Sequence, residues 1–459
     1  MAAAPAVPAA ELHPAMNDAP APASARRARS ARAARAPVSA AAEPRPPQRT
    51  RSAARRAVPS LSAFQVRLVL SILESVLVRR IPLDRSYAHW FARVHLDPQE
   101  QGFVVRQINA MLSHLSFYAH AAGLRHPGDL RRHLTRLVIC YAAHRKLALP
   151  ELDGGAGFDR RGIPRRIREA EEDVLLREGC PAWLNEVAQQ QLGAAWPEQR
   201  AVLACEAPRC IRTNTLKITR DQLARVLSEQ GIVSRALSGH PEALEITSAS
   251  ALFRSEAYRA GYFEQQDAGS QAVARFVEAA PGMRVIDACA GSGGKTLHLA
   301  ALMQARGTLI ALDDTAWKLD ELRVRARRAG ASNIEARLCS STKVLKRLHG
   351  SADRVLLDAP CSGVGMFRRI PDLKWTDARD RLAPLQQQQQ ELLRRCAPLV
   401  RGGGALIYST CSFLPSENTA QIGCFLESCQ GRFELEEERQ ILPSSGCDGF
   451  YMARLRCRT

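Results

Sequence analysis

The stretch MRVIDACAGSGGKTLHLAALMQARGTLIALDD (residues 283–314) decides the fold of this chain. It runs from an apolar strand through a glycine-rich turn into a helix, then into a second apolar strand that ends in two aspartates. Outward from it the same alternation continues. AWKLDELRVRARRAG (316–330) is helical in period, and IEARLCS (334–340) and DRVLLDAP (353–360) are strands. A long helical stretch and the strand GALIYST (404–410) complete the series. Alternating strands and helices predict a doubly wound α/β sheet, which binds its ligands at the carboxyl ends of the strands.

Those strand ends hold the reactive residue types. The first is followed by Gly291, Gly293 and Gly294. Glycines there let a ligand approach the backbone and set amides at a helix N-terminus. The spacing matches neither the dinucleotide fingerprint nor the P-loop. About 20 residues on, Asp313 ends the second strand, placed to accept hydrogen bonds from ribose hydroxyls. Asp314 could do the same or cap the next helix; the strand register favours Asp313. Two cysteines, Cys361 in VLLDAPCSGVG (355–365) and Cys411 in ALIYSTCSFLPSEN (405–418), follow the later strands. A single cysteine in such a place reads as a buried structural thiol. Two at predicted strand ends read as nucleophile chemistry. Paired thiols beside a glycine loop point to covalent attack on a weak electrophile with a nucleotide-like cofactor. Asp358, three residues before Cys361, either caps a turn or holds the polar edge of a ring in a pocket with little water.

The 459 residues suffice for roughly two to four domains. No apolar run approaches the ~18 residues of a membrane span, and no stretch has the form of a secretory signal. Thirteen cysteines without a Cys-x-x-Cys pair predict a reducing, cytoplasmic setting rather than a disulfide framework. Cys424 and Cys429 have no histidines at ligand spacing, so no metal site is expected. The formal charge of +18 favours polyanion partners through counterion release, although a solvated basic surface has the same composition. Aromatic residues at 5% argue against a broad base-stacking platform.

Residues 1–58 are Ala, Pro and Arg with few large apolar side chains, a composition that predicts disorder. Their ten arginines against three acids leave three readings open: an RNA-touching arm, a transit peptide, or a solvated extension. Residues 59–150 carry helical periodicity, as in Leu68, Ile72 and Val76 or Val104, Ile108, Met111 and Leu115, and predict an all-α domain of four or five helices. Residues 151–180, with GGAGFDRRGIPRR (154–166), read as a linker. Residues 181–267 read as a small α+β unit with strands at 210–219, 231–237 and 243–248 and a helix at 219–231. The α/β domain occupies 268–459. The glutamines at 386–390 suit an exposed helix and receive no further role.

At these residues the chain resembles the RNA cytosine-5 methyltransferases of the Nol1/Nop2/Sun family. The resemblance rests on FEQQDAGSQ (263–271), DACAGSGGKT (287–296), IALDD (310–314), LLDAPCSGVGMFRRIPDLKW (356–375), LIYSTCSFLPSEN (406–418) and DGFYMARL (448–455). PAWL (181–184) and RCIRTN (209–214) extend it towards the N-terminus, and residues 61–150 resemble a NusB-like helical RNA-binding domain. The resemblance implies a Rossmann-like fold, S-adenosylmethionine as cofactor, and RNA, small-subunit rRNA first of all, as partner. A monomer with no membrane partner is expected. Cys289, Ala290, Gly291, Ser292, Gly293, Gly294 and Lys295 would wrap the cofactor, Asp313 would hold its ribose, and Asp358 would border both cofactor and base. Cys411 would attack C6 of cytosine, and Cys361 would assist loss of the C5 proton so that Cys411 can leave. Lys295 and Asp358 would support protonation changes on the ring. The chain departs from the family in having Ser292 for a proline, and Cys339 where an aspartate contacts the adenine.

Two other functions fit parts of this pattern. A ribosome-assembly or RNA-binding factor that kept the fold without its activity would be consistent with Cys339. A DNA cytosine methyltransferase would use the Pro-Cys thiol alone and leave Cys411 unexplained.

Overall fold

The computed structural model describes residues 59–248, 252–339, 342–375 and 378–459; the basic segment 1–58, expected to be disordered, lies outside them. From Ala57 onward the chain forms one unit. Among the described residues no helix is long and apolar enough to cross a membrane.

Five helices open the described chain: α1 (Ala63–Leu77), α2 (Leu83–Phe91), α3 (Pro98–Ser113), α4 (Leu115–Ala121) and α5 (Leu134–Arg145). The expected start at Asp97-Pro98 is present: Asp97 caps α3 in a capping box with Glu100. Val69, Ile72, Ile108, Met111, Leu137 and Val138 meet in one core. The segment read as a linker contributes to it. Helix α6 (Ile163–Glu172) buries Ile163 and Ala170 among the same side chains. Its polar, arginine-rich face conceals two inward residues that are too few to mark a period. Three further helices, α7 (Val174–Arg177), α8 (Ala182–Leu192) and α9 (Trp196–Leu203), lead to the α+β unit.

That unit is an antiparallel sheet of order β2-β3-β1-β4, with β1 (Cys210–Thr213), β2 (Ser234–Ala236), β3 (Ala243–Ile246) and β4 (Phe263–Gln265). The helix α10 (Arg220–Glu229) starts at Thr219 with a capping box, as its sequence predicts. Strand β1 is shorter than the periodicity suggests. Asn214 ends it by donating from Nδ2 to the carbonyls of Gly261 and Ala329, while its own carbonyl accepts from the Lys217 amide. The short α11 (Glu256–Arg259) precedes β4.

Helix α12 (Ala268–Phe276) leads into a seven-stranded sheet of order β10-β11-β9-β8-β5-β6-β7. Its strands are β5 (Arg284–Asp287), β6 (Thr308–Asp313), β7 (Ile334–Leu338), β8 (Ala352–Asp358), β9 (Val400–Thr410), β10 (Phe433–Ile441) and β11 (Phe450–Cys457). The five from β7 to β9 are parallel neighbours, and β11 runs antiparallel to β9 and β10. Helices α13 (Gly294–Leu302), α14 (Ala316–Ala329), α15 (Thr342–Lys346), α16 (Ala378–Cys396) and α17 (Thr419–Ser428) connect and cover it. This is the Rossmann-like sheet the alternation predicts, in mixed form. The β10–β11 hairpin was not legible from hydropathy. Strand β10 carries four glutamates in nine residues, and its Glu434 and Glu437 stand opposite Arg456 and Arg454 of β11.

Two packing features bear on the strand ends. Leu184, Ala188, Trp196 and Leu203 of α8 and α9 pack against Val364, Phe367, Phe413 and Leu414, the residues that follow Cys361 and Cys411. The 3₁₀ turn Pro371–Trp375 joins the sheet domain to the helical core. Trp375 Nε1 donates to the Leu112 carbonyl at 2.5 Å, the Leu83 amide donates to Asp372 at 3.2 Å, and Lys374 Nζ donates to the Ser113 carbonyl at 3.2 Å.

Candidate active site

The parallel strands β5, β6, β8 and β9 end side by side at Asp287, Asp313, Asp358 and Thr410. Asp313 closes the glycine loop against the sheet. It accepts from the Gly291 amide at 2.9 Å on one oxygen and from the Thr315 amide at 2.9 Å on the other, with Lys318 Nζ 3.7 Å away. Asp314 is exposed and bonds the Thr315 hydroxyl, so the two aspartates face different surroundings. The Ala290 amide bonds the Leu312 carbonyl at 2.8 Å. Gly293 has φ +88, and a Cβ there would come within 2.8 Å of Leu322. A Cβ at Gly291 or Gly294 would meet nothing within 4 Å. The loop backbone is therefore open on the side that a ligand would use. With the Asp313 carboxylate beside it, this fits a nucleoside-bearing cofactor. Ser292 turns outward, its hydroxyl donating to Glu321 at 2.8 Å. Cys289 is half-buried with its thiol pushed well up, first by burial.

Cys339 follows β7 at the neighbouring strand end, and its amide bonds the Asp313 carbonyl at 2.9 Å. Its half-buried thiol is pushed up by burial. The two residues after it lie outside the described ones.

The two thiols meet. Strands β8 and β9 pair with Asp358 opposite Ser409, so the loops that follow them emerge together. Cys361 Sγ lies 3.2 Å from Cys411 Sγ. Gly365 permits this approach: its amide bonds the Cys411 carbonyl at 3.0 Å, and a Cβ would come within 2.8 Å of that oxygen. The Cys361 thiol is pushed well above its usual range, first by its hydrogen bond to Cys411, then by burial. It therefore holds its proton at neutral pH.

Beside the thiols, Lys295 in the first turn of α13 donates to Asp358 Oδ2 at 2.6 Å, and the Ser409 hydroxyl donates to Oδ1 at 3.0 Å. Burial works against the Lys295 ammonium, but the Asp358 carboxylate outweighs it and raises the pKa. The ammonium lies 5.3 Å from the centre of the Phe450 ring. Below it, Asp287 accepts from the Thr296 hydroxyl at 2.7 Å and is pushed up to about 7, mainly by burial. The catalytic candidates Cys411, Cys361, Asp358 and Lys295 thus form one cluster, and the glycine loop, Asp313 and Cys339 line the adjoining strand ends.

Several contributors escaped the sequence reading. Ser409 has a signal in hindsight, since it lies two residues before Cys411 on the same face of the strand. Glu417 has none. It is fully buried and accepts from the Ser362 amide at 2.8 Å, holding the Cys361 loop. The glutamine run is not merely an exposed helix face. Gln389 is 0% exposed and donates to the Pro360 carbonyl at 3.0 Å and to Glu417 at 3.2 Å. Helix α16 lies across the loop, and that placement turns one glutamine inward.

Comparison with known proteins agrees with this geometry. A family model for the 16S rRNA methyltransferase RsmB/F matches residues 274–456, and one for the ferredoxin-like domain of RsmF/B-like methyltransferases matches residues 180–252. A probable ribosomal RNA small subunit methyltransferase B from Synechocystis sp. is 34% identical over 329 residues, covering 66% of this chain and 74% of that protein. The crystal structure of PH0851 shares the fold with a TM-score of 0.69 at 23% identity, over 84% of this chain and 98% of that one. A methyltransferase homolog protein from Pyrococcus horikoshii is 28% identical, with a TM-score of 0.55 over 62% of this chain and 97% of that one. By these matches, the chain belongs to the RsmB/F family of 16S rRNA methyltransferases.

Proposed function

We propose that this chain transfers a methyl group from S-adenosylmethionine to C5 of a cytosine in small-subunit rRNA through a covalent enzyme–base adduct. The observation that carries the reading is the 3.2 Å approach of Cys361 and Cys411 beside the Lys295–Asp358 pair. Membership of an rRNA methyltransferase family supports the substrate class and the cofactor.

In this reading, residues 289–295 and Asp313 hold the cofactor, whose sulfonium supplies an electrophilic methyl group when bound. Cys339 borders the adenine side with a thiol in place of a carboxylate. Cytosine must leave any stack to present C6 to the thiols. The Cys411 thiolate forms an Sγ–C6 bond, which makes C5 nucleophilic. Lys295 keeps a positive charge near the ring, and Asp358, held by Lys295 and Ser409, supports the protonation change there. After methylation, Cys361 assists departure of the C5 proton. The electron pair of that C–H bond then restores the ring double bond as the Sγ–C6 bond breaks. Its raised proton affinity keeps Cys361 from being the resting nucleophile; once it has released its own proton to solvent, the same affinity makes its thiolate the stronger base, and the C5 proton passes to it. The helical domain of residues 59–150 is read as NusB-like and RNA-binding, and the enzyme as cytoplasmic. The all-α architecture and the basic charge of the chain support the helical unit's role.

The test is a covalent trap. Cys361→Ala protein is mixed with S-adenosylmethionine and small-subunit rRNA and run on a denaturing gel. A protein–RNA adduct that disappears in Cys361→Ala/Cys411→Ala is expected. If no adduct forms and the wild type does not methylate that rRNA, the catalytic reading fails and an assembly or binding factor takes its place.

A further inference from the structure

The glycine loop is gripped from behind by one arginine of the α+β unit and one of α14. Arg212, on β1, is 2% exposed. Its Nη1 donates to the Gly294 carbonyl at 2.7 Å and also to Gln266 Oε1. Arg325, on α14, donates from Nη1 to the Ser292 carbonyl at 2.8 Å. Arg325 is itself held by a carboxylate that neighbours Arg212. Glu264, on β4, stands opposite Arg212 in the strand register and is 4% exposed. Arg325 Nη2 donates to its Oε2 at 3.0 Å, and Arg328 donates to its Oε1.

A buried arginine is a poor device for stability alone. Burial pulls Arg212 down to about 10, with Glu264 opposing, and its Nε has no partner. An apolar side chain of similar volume would generally fill such a place at no loss of stability. The charge makes sense if the two carbonyls matter. A peptide unit is planar, so holding the Ser292 carbonyl also sets the direction of the Gly293 amide, and holding the Gly294 carbonyl sets that of Lys295. These peptides belong to a segment whose glycines leave it free to adopt other shapes.

We infer that Arg212, fixed by Gln266, and Arg325, fixed by Glu264, are positioning residues for the cofactor loop, so that the α+β unit forms part of the cofactor site. The inference rests on the reading of residues 289–295 as that loop. It gives the unit a function apart from any contact with RNA.

Isothermal titration of the full chain with S-adenosylhomocysteine, without RNA, tests it. Arg212→Met and Arg325→Met should each weaken binding about tenfold or more, with Arg212→Lys between them and wild type. In steady-state assays the KM for S-adenosylmethionine should rise by a similar factor, while the KM for rRNA stays within about twofold. A purely structural role would lower the melting temperature or the active fraction without separating the two KM values. If Arg212→Met does not fold, Arg325→Met decides alone, since its side chain is partly exposed. Asp313→Asn serves as the control. If it loses binding while the arginine variants stay within about twofold of wild type, the inference is overturned and the loop reading stands. If Asp313→Asn also binds normally, the loop reading falls and takes the inference with it.

Discussion

Asp287 ends β5 with its carboxyl sealed from water and only the Thr296 hydroxyl as a side-chain donor. Burial raises it to about 7 in the folded chain, against an ordinary value near 3.9. Between those values the folded state keeps a proton that the unfolded state has released. Stability from this group therefore falls as pH rises from about 4 to about 7. Asp287→Asn should gain on the wild type across that window, by at most ~4 kcal/mol at 1.36 kcal/mol per unit. Urea unfolding at pH 5 and pH 8 checks it; an equal difference at both values would remove burial as the cause. Lys295 is the opposite case, a buried cation kept charged by Asp358. Lys295→Met should lower the single-turnover methylation rate about a hundredfold, the scale of a lost charge-supporting group.

At the scale of elements, the turn Pro371–Trp375 is where the sheet domain grips the helical core. Trp375 packs against that core and bonds the end of α3, and Lys374 places its charge on the Ser113 carbonyl at the same helix terminus. Burial brings Lys374 down to about 8, so it is still mostly protonated at pH 7. Trp375→Ala should cost about 3 kcal/mol through lost packing, with hydrogen exchange speeding up in α3 before the parallel strands. Uniform loss of protection over the whole chain would show that the turn is not a local joint. Because the same segment begins at Cys361, the joint also ties the thiol loop to the helices. The resemblance marked this segment as a motif, but the sequence does not show what it touches. Its partners Leu83, Leu112 and Ser113 lie more than 250 residues earlier.

At the scale of the molecule, the formal charge of +18 sets the character of RNA binding. Neutralising phosphates releases counterions, so rRNA affinity should fall at least about tenfold between 50 and 200 mM salt. S-adenosylhomocysteine affinity, which depends on enclosed hydrogen bonds, should change little over the same range. Filter binding and calorimetry in parallel separate the two; a salt-independent rRNA affinity would remove the electrostatic account.

The sequence by itself determined the parallel part of the sheet, its strand ends and the residue types that stand there. Strand–helix alternation has a short period, and a residue at the carboxyl end of a parallel strand is placed by that period alone. Gly291, Gly293, Asp313, Asp358, Cys361 and Cys411 were legible for this reason. Tertiary structure decided what holds them. Glu417, Gln389 and Arg212 are polar residues that become buried only when distant segments close over the loops. Their roles depend on partners far away in sequence, and local periodicity carries no record of these. The acidic strand β10 and the inward side of α6 were hidden for a related reason. Cross-strand arginines stabilise the one and two buried side chains anchor the other, and neither leaves a hydrophobic period to read.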